Sequence, residues 1–294
     1  MEVLAHQLAV SLTIQDALQQ ARRDIDDIDA RLLLQHVLNV NHAHLIAHPE
    51  QLLTPEQTRR FHLLIKRRTQ GDPVAYLTGQ REFYGFEFAV TPAVLIPRPE
   101  TELLVDLALA RIPCRIPYSV LDLGTGSGAI ALSIAKHRAL ASITAVDISA
   151  AAVALAQANA RQLDVKNVRI IQSDWFEELA GERFDLIVSN PPYIADGDPH
   201  LSQGDLRFEP GVALTSGGDG LDCIRSIIAS APAYLAEGGA LLLEHGYDQA
   251  AACRQLLSSA GFVAVYSRPD LADIMRVSGG RLGSFAKEAV RMRL

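Results

Sequence analysis

Between residue 11 and about residue 70, apolar side chains recur at helical spacing, with Leu32, Leu33, Val37 and Leu38 forming one stripe and Phe61, Leu64 and Ile65 another. The helix starts are marked as well. Thr13 and Asp16 stand at capping-box spacing, and Thr54-Pro55-Glu56-Gln57 joins a cap, a proline suited to the first helical position and a Gln able to reach back to the cap. Gly71-Asp72-Pro73 then stops the last helix. The pattern predicts a small helical domain over residues 1–78. After it the period changes. Arg81-Glu82-Phe83-Tyr84-Gly85-Phe86-Glu87-Phe88 is aromatic-rich and partly alternating, with Gly85 placed for a turn or bulge, so a β-hairpin is expected, with residues 79–97 as the connector. Leu95-Ile96-Pro97-Arg98-Pro99-Glu100-Thr101-Glu102 leads into a further helix. Pro99 suits its first turn, and Glu100 and Glu102 complement the positive end of its dipole.

From Ser119 onward short β-rich runs alternate with runs rich in alanine and leucine. Strands are predicted at 120–123, 142–146, 168–172, 184–189, 240–244 and 262–266, with helices at 129–137, 150–163, 221–235 and 248–260. Such alternation specifies a doubly wound α/β sheet over residues 98–294. No solenoid-type repeat is present.

The bulk properties narrow the function classes. A chain of 294 residues allows about two domains and a core that needs no disulfides. Its three cysteines, Cys114, Cys223 and Cys253, show neither a disulfide framework nor a Cys-x-x-Cys pair, which points to a reducing cytoplasm. The start, Met1 to His6, lacks a basic signal-peptide region, and no apolar run approaches the ~20 residues of a membrane span. A net charge of −7 argues against unselective binding to nucleic acid. The basic cluster Arg59, Arg60, Lys66, Arg67 and Arg68 is read as a solvated helix face, and His36, His42, His44 and His48 as surface histidines rather than a metal site.

Candidate chemistry sits at two strand ends. In an open α/β sheet, ligands bind beyond the carboxyl ends of the strands, where the first turn must let a backbone approach closely. Leu121-Asp122-Leu123-Gly124-Thr125-Gly126-Ser127-Gly128 supplies such a turn. Its G-x-G-x-G spacing departs from the dinucleotide G-x-G-x-x-G and favours S-adenosylmethionine over NAD. Asp147, about twenty residues on, ends the next strand, where it can accept hydrogen bonds from ribose hydroxyls or cap the helix that begins near Ser149. After the third strand, Asp174 is placed to accept from an adenine amine, and Trp175, the only tryptophan, to pack on the ring or simply in the core. Asp122 is expected to orient the glycine turn.

The second strand end carries Asn190-Pro191-Pro192-Tyr193, directly after the apolar run 184–189. A proline pair there can serve only to end the strand. It also makes a rigid acceptor pair. A carboxamide nitrogen is a poor nucleophile, because the resonance that gives a peptide bond its ~18–20 kcal/mol rotation barrier ties up its lone pair. Hydrogen bonds from its N–H groups to the Asn190 side-chain oxygen and the Pro191 carbonyl would favour the positive charge that develops during attack on a methyl sulfonium. The prolines hold these acceptors in extended geometry, and Tyr193 offers a flat wall.

With these motifs assembled, the chain resembles the protein-(glutamine-N5) methyltransferases of the HemK/PrmC type over nearly its whole length. The resemblance rests also on Pro73-Val74-Ala75-Tyr76-Leu77-Thr78-Gly79, Arg81-Glu82-Phe83, the 95–102 segment, Arg207-Phe208-Glu209-Pro210 and Gly217-Gly218-Asp219-Gly220-Leu221. It implies a class I S-adenosylmethionine-dependent methyltransferase, a Rossmann-like doubly wound sheet with a small N-terminal helical domain and a hairpin connector. It further implies cofactor binding by Gly124, Thr125, Gly126, Ser127, Gly128, Asp147, Asp174, Trp175 and Asn190. The substrate glutamine would be held by Leu95, Asn190, Pro191, Pro192 and Tyr193, the last four forming the catalytic clamp. The implied substrate is the Gly-Gly-Gln glutamine of class I peptide chain release factors. Departures come late: His245 replaces a common aliphatic residue, Asp270 to Val277 matches the family pattern only in part, and the tail from Arg281 is unfamiliar. Rival substrates for the same clamp are a ribosomal-protein glutamine and an adenine amine. The second would require base flipping and a basic surface, neither evident in an acidic chain.

Overall fold

The computed structural model describes residues 12–283, so the chain start and the tail from Ser284, both included in the expectations above, lie outside the described residues. The chain divides after Gly79 into two compact units.

The first unit is helical: α1 (Ile14–Ala21), α2 (Asp27–Leu38), α3 (His42–Ala47), α4 (Pro55–Thr69) and α5 (Val74–Thr78). Both expected capping boxes form, Thr13 with Asp16 and Thr54 with Gln57, and Pro55 occupies the first turn of α4. The buried stripe of α2 is Ala30, Leu33, Leu34 and Val37, whereas Leu32 remains 44% exposed. The predicted stripe was thus displaced, because Leu32 lies about 100° round the helix from Leu33 and falls off the buried face. Phe61 and Ile65 meet this stripe from α4. The basic side chains of α4 largely pair with acids: Arg59 with Glu56, Arg67 with Asp72 at 2.7 Å, and Arg68 with Asp29 at 2.6 Å. The His44 ring lies 4.4 Å from that of His48, tilted by 46°, and bonds Gln51 at 2.7 Å.

The second unit begins with the hairpin, β1 (Gln80–Phe83) and β2 (Phe86–Ala89). Its turn residues Tyr84 and Gly85 both have positive φ, 53° and 77°, the geometry that matches strand twist in a two-residue loop. Phe83 and Phe88 are fully buried in the core that also packs the main sheet, so the hairpin belongs physically to this unit.

Beyond it follow α6 (Glu102–Arg111), β3 (Tyr118–Leu123), α7 (Ala129–His137), β4 (Ala141–Asp147), α8 (Ala150–Gln162), β5 (Val168–Gln172), β6 (Phe184–Ser189), α9 (Asp222–Ser230), β7 (Leu235–Glu244), α10 (Ala250–Ser259), β8 (Phe262–Pro269) and β9 (Met275–Leu282). The seven-stranded sheet runs β5-β4-β3-β6-β7-β9-β8. Strands β5 to β7 are parallel, and β9 inserts antiparallel between β7 and β8. Residues alternate between two cores: Val120, Ile143, Leu186 and Leu242 pack on one face, and Leu121, Val146, Ile187 and Leu243 on the other. This explains the continuous apolar runs, since a parallel strand covered on both faces needs no polar side. The order reverses at β3, flanked by β4 on one side and β6 on the other, which opens a crevice at their carboxyl ends.

Strand β9 was not expected. Its Gly279-Gly280 pair has low strand propensity, and its signal comes from packing: a Cβ on Gly279 would lie 2.5 Å from Leu242 Cδ2 and 2.7 Å from the Leu241 carbonyl oxygen. The predicted helix at 221–235 ends earlier, at Ser230, and Leu235 already starts β7. Pro232 is the cause: it sits in the 3-10 turn Ala231–Ala233 and cannot continue the ladder.

Candidate functional site

The crevice holds a cavity of about 440 Å³ whose lining includes Leu95, Gly124, Thr125, Gly126, Ser127, Asp147, Asp174, Trp175, Asn190 and Pro192. Three expected site residues, Gly128, Pro191 and Tyr193, do not line it.

The turn after β3 is built from backbone. Gly124, Gly126 and Gly128 have φ of 71°, 56° and 85°, a region that costs an L side chain about 1–2 kcal/mol. A Cβ on Gly126 would meet open space, so here glycine serves the conformation alone. At Gly128 a Cβ would stand 3.0 Å from Leu132 and 3.3 Å from Ala156, so that residue lets α7 pack on α8 rather than facing the cavity. Two carboxylates hold the turn from below. Thr125 Oγ1 donates to Asp122 Oδ2 at 2.7 Å, and Gly126 N–H donates to Asp147 Oδ2 at 2.9 Å. Asp122 is fully buried with Oδ1 unpartnered, and burial pushes its carboxyl up to about 7 despite the Thr125 hydrogen bond. It therefore orients the turn. Burial also raises Asp147, against hydrogen bonds from the Ser149 and Gly126 N–H groups. The cap of α8 is Ser149, whose Oγ accepts from Ala152 N–H at 3.2 Å. Both Asp147 oxygens accept backbone N–H groups, Oδ1 from Ser149 and Oδ2 from Gly126, each at 2.9 Å, and the residue lines the cavity.

Sequence reasoning missed Asn159, the fully buried polar residue of α8. Its Nδ2 donates to the Ser127 carbonyl at 2.8 Å and to the Ala89 carbonyl at 3.0 Å, while its Oδ1 accepts from Ala89 N–H at 2.9 Å. One side chain thereby fastens the glycine turn to the hairpin. A lone asparagine in the alanine-rich run 150–160 was the available signal. Trp175, at φ 46°, is half-buried and lies 3.7 Å from a Cβ built on Gly124, so its indole forms one wall beside the turn. Asp174 is exposed at the mouth. Together these groups offer what an adenosine-bearing cofactor needs: an acceptor for ribose hydroxyls, a flat apolar wall for a base and a glycine turn that admits a ligand to the backbone.

The turn after β6 is built from side-chain ties. Ser189 Oγ donates to the Leu123 carbonyl at 2.7 Å, joining the two strand ends. Asn190 Nδ2 donates to Thr101 Oγ1 at 3.1 Å. The chain then pairs with the 214–217 segment through Ile194 N–H to Leu214 O at 2.9 Å and Ser216 N–H to Ile194 O at 2.9 Å. Gln249 Nε2 donates to the Tyr193 carbonyl at 2.9 Å, and Gly220 (φ 74°) leaves room for that carbonyl, which a Cβ would meet at 2.3 Å. The Gly217-to-Leu221 motif thus earns a structural reason.

These ties turn the Tyr193 ring away from the main cavity. Its hydroxyl donates to Glu244 Oε1 at 3.4 Å, and burial raises its pKa. Tyr193 lines an adjoining cavity of about 610 Å³ with Glu100, Leu206, Glu244 and Arg276. Arg98 lines both cavities and pairs with buried Glu209, whose carboxyl burial pushes up to about 7. No grouping of three or more His, Cys, Asp or Glu side chains able to hold a metal ion occurs among the described residues. Among the same residues no helix is long and apolar enough to cross a membrane.

Comparison with known proteins follows the same lines. Residues 101–219 match the family model of the methyltransferase small domain, and residues 13–79 that of the PrmC N-terminal domain. The release factor glutamine methyltransferase of Burkholderia pseudomallei is 54% identical over 264 residues, covering 88% of this chain and 93% of that one. The protein of the same name from Escherichia coli K12 is 48% identical over 276 residues, covering 94% and 98%. Among solved structures, a T. thermophilus 16S rRNA methyltransferase in complex with AdoMet and guanosine superposes with a TM-score of 0.51 at 24% identity, covering 69% of this chain and 50% of that one.

Proposed function

The chain belongs to the release factor glutamine methyltransferases, and we propose that it transfers a methyl group to the N5 amide nitrogen of the glutamine in the Gly-Gly-Gln loop of class I peptide chain release factors. The methyl donor is S-adenosylmethionine. When bound, this cofactor supplies a methyl group made electrophilic by its sulfonium. The chain's own residues do the rest. Gly124 to Ser127 would admit the cofactor to the turn, Asp147 would accept from its ribose, and Asp174 and Trp175 would receive its adenine. Asn190 Oδ1 and the Pro191 carbonyl accept the two N–H bonds of the substrate amide, favouring the positive charge that grows on nitrogen. Leu95 and Pro192 line the slot, while the Tyr193 ring lies in the adjoining cavity. No general base is assigned, because an N-protonated amide is acidic enough to lose its proton to water. Alignment of nitrogen with the methyl carbon carries much of the acceleration, an effect worth ~7–11 kcal/mol in favourable systems.

The supporting observation is that Asn190 and Pro192 line one cavity with Gly124 to Ser127, Asp147 and Trp175. We assign residues 1–78 to recognition of the release factor, 79–97 to joining the two parts and 98–294 to transfer, with no direct role for nucleic acid. A cytoplasmic location accords with a substrate that works at the ribosome and with cysteines that show no disulfide framework. The test offers recombinant release factor, ribosomal protein and DNA side by side with S-adenosylmethionine. One methyl is expected on the release factor alone, mapped by mass spectrometry to the Gly-Gly-Gln glutamine. Methylation of either competitor in its place would overturn the reading.

A further inference from the structure

The strand end that carries Asn190 is anchored on both sides. Upstream, Ser189 Oγ donates to the Leu123 carbonyl at 2.7 Å. Between the anchors lie two prolines, which have no backbone N–H, hold their own φ and bias the residue before each toward extended geometry. Few rotations are then left to the segment. The downstream anchor, the Tyr193 carbonyl, therefore decides where the Pro191 carbonyl and the Asn190 side chain point.

Gln249 holds that carbonyl. It is 8% exposed and lines neither cavity, so it acts through the backbone it grips. Its carboxamide has a donor end and an acceptor end, and both are assigned by geometry. Oε1 accepts from Gly246 N–H at 2.8 Å. Nε2 faces only carbonyls, that of Tyr193 at 2.9 Å and those of Asp219 and Gly220 at 3.4 Å. A backbone N–H only donates and a carbonyl only accepts, so the amide has one possible orientation.

The residue on which Gln249 rests is held in its turn. Gln249 N–H donates to the Gly246 carbonyl at 3.1 Å, and a Cβ on Gly246 would stand 3.1 Å from Gln249 Oε1, so glycine permits the close turn between β7 and α10. The same carbonyl accepts from His245 Nδ1 at 2.8 Å. His245 is fully buried, and burial lowers its pKa against that hydrogen bond, which keeps the ring neutral. Its Nε2 then accepts from Ser278 Oγ at 2.8 Å. Ser267 Oγ lies 2.8 Å from Ser278 Oγ, and Arg254 donates to Ser267 at 2.8 Å. Arginine only donates, so one sense of donation runs from Arg254 of α10 through β8 and β9 to Gly246.

We propose that Gln249 is a positioning residue for methyl transfer, which by holding the Tyr193 carbonyl directs the Asn190 and Pro191 acceptors at the substrate amide. This rests on the functional reading above.

The two ends of the Gln249 amide can be separated by substitution. Gln249→Glu keeps an oxygen for the Gly246 N–H but loses the donor toward Tyr193, whereas Gln249→Met keeps the length and loses both. Steady-state methylation of recombinant release factor is measured for wild type and both variants, with cofactor Kd by calorimetry and the folded fraction at assay temperature by circular dichroism. Each variant should lose about ten-fold or more in kcat, the effect of leaving a buried carbonyl without its donor, while cofactor Kd stays within about two-fold. A residue that served only to start α10 would tolerate Gln249→Glu, since the Gly246 tie survives. Wild-type kcat in Gln249→Glu, a kcat loss no larger than the loss of folded protein, or a parallel weakening of cofactor binding would each overturn the proposal while leaving the functional reading intact. Should Gln249→Met fail to fold, Gln249→Glu decides alone. A wild-type protein inactive on release factor would overturn both.

Discussion

The turns after β3 and β6 leave adjacent parallel strands at the same end of the sheet, yet they are built in opposite ways. The first is made of glycines at positive φ whose backbone is held by carboxylates, with Gly126 on Asp147 and Thr125 on Asp122. The second is made of prolines and fixed by distant side chains, with Asn190 on Thr101 and the Tyr193 carbonyl on Gln249. A turn that must admit a large ligand needs an open backbone. In the proposed function the second turn aims two small acceptors at one nitrogen, which needs rigidity that neighbouring elements supply. Beside each turn lies one buried carboxyl pushed up to about 7, Asp122 of β3 by the first and Glu244 of β7 by the second.

If this division holds, damage to the second turn should strike transfer and damage to the first should strike cofactor binding. Asn190→Ala is the most severe test. Loss of an acceptor aimed at developing charge should reduce kcat by about 10²–10³-fold, by analogy with removal of a preorganised hydrogen-bonding group, while cofactor Kd measured by calorimetry stays within a few-fold. Parallel loss of cofactor affinity would merge the two turns into one structural unit.

Next in size is Gly220→Ala, which combines positive φ with a backbone collision at 2.3 Å. We expect about 2–4 kcal/mol of lost stability in denaturant titration, with slowed transfer. Gly126→Ala is its counterpart in the first turn, where the Cβ meets open space. It should cost only about 1–2 kcal/mol of strain and weaken the cofactor instead.

Asn159→Ala strands the Ser127 carbonyl and both backbone groups of Ala89. A loss of about 1–3 kcal/mol in stability and weaker cofactor binding are expected, read by denaturation and calorimetry.

The smallest effect is a pH dependence of stability. Asp122 and Glu244 have folded-state values raised from 3.8 and 4.5 to about 7, so the folded chain binds more protons than the unfolded one between those limits. Their contribution is fully present at low pH and is lost as pH rises through 7. Thermal midpoints should decline as pH rises from 5.5 to 8. Asp122→Asn should remove the share of the first turn and Glu244→Gln that of the second. The carboxyls of Asp27, Asp198, Asp219 and Asp270 are lowered by their partners, so they act below this interval and with opposite sign.

What could be read along the chain was what neighbours in the chain decide. Helix caps, the two-residue hairpin turn, the apolar runs of the parallel strands and the two strand-end motifs each depend on residues a few positions apart, and the structure places them where spacing says. Strand β9 was invisible because its glycines are dictated by Leu241 and Leu242 of another strand. Thr101 and Asn159 were invisible as site residues because their partners lie 89 and 70 positions away in the sequence. The outward turn of Tyr193 follows from Glu244, 51 positions on. The sequence by itself determined the parallel strands, the glycine turn and the Asn-Pro-Pro-Tyr strand end, since backbone conformation and strand periodicity are local. Only the tertiary structure decided that Asn190 is tied to Thr101 and Tyr193 to Glu244, because hydrogen-bond partners are whichever groups folding brings together.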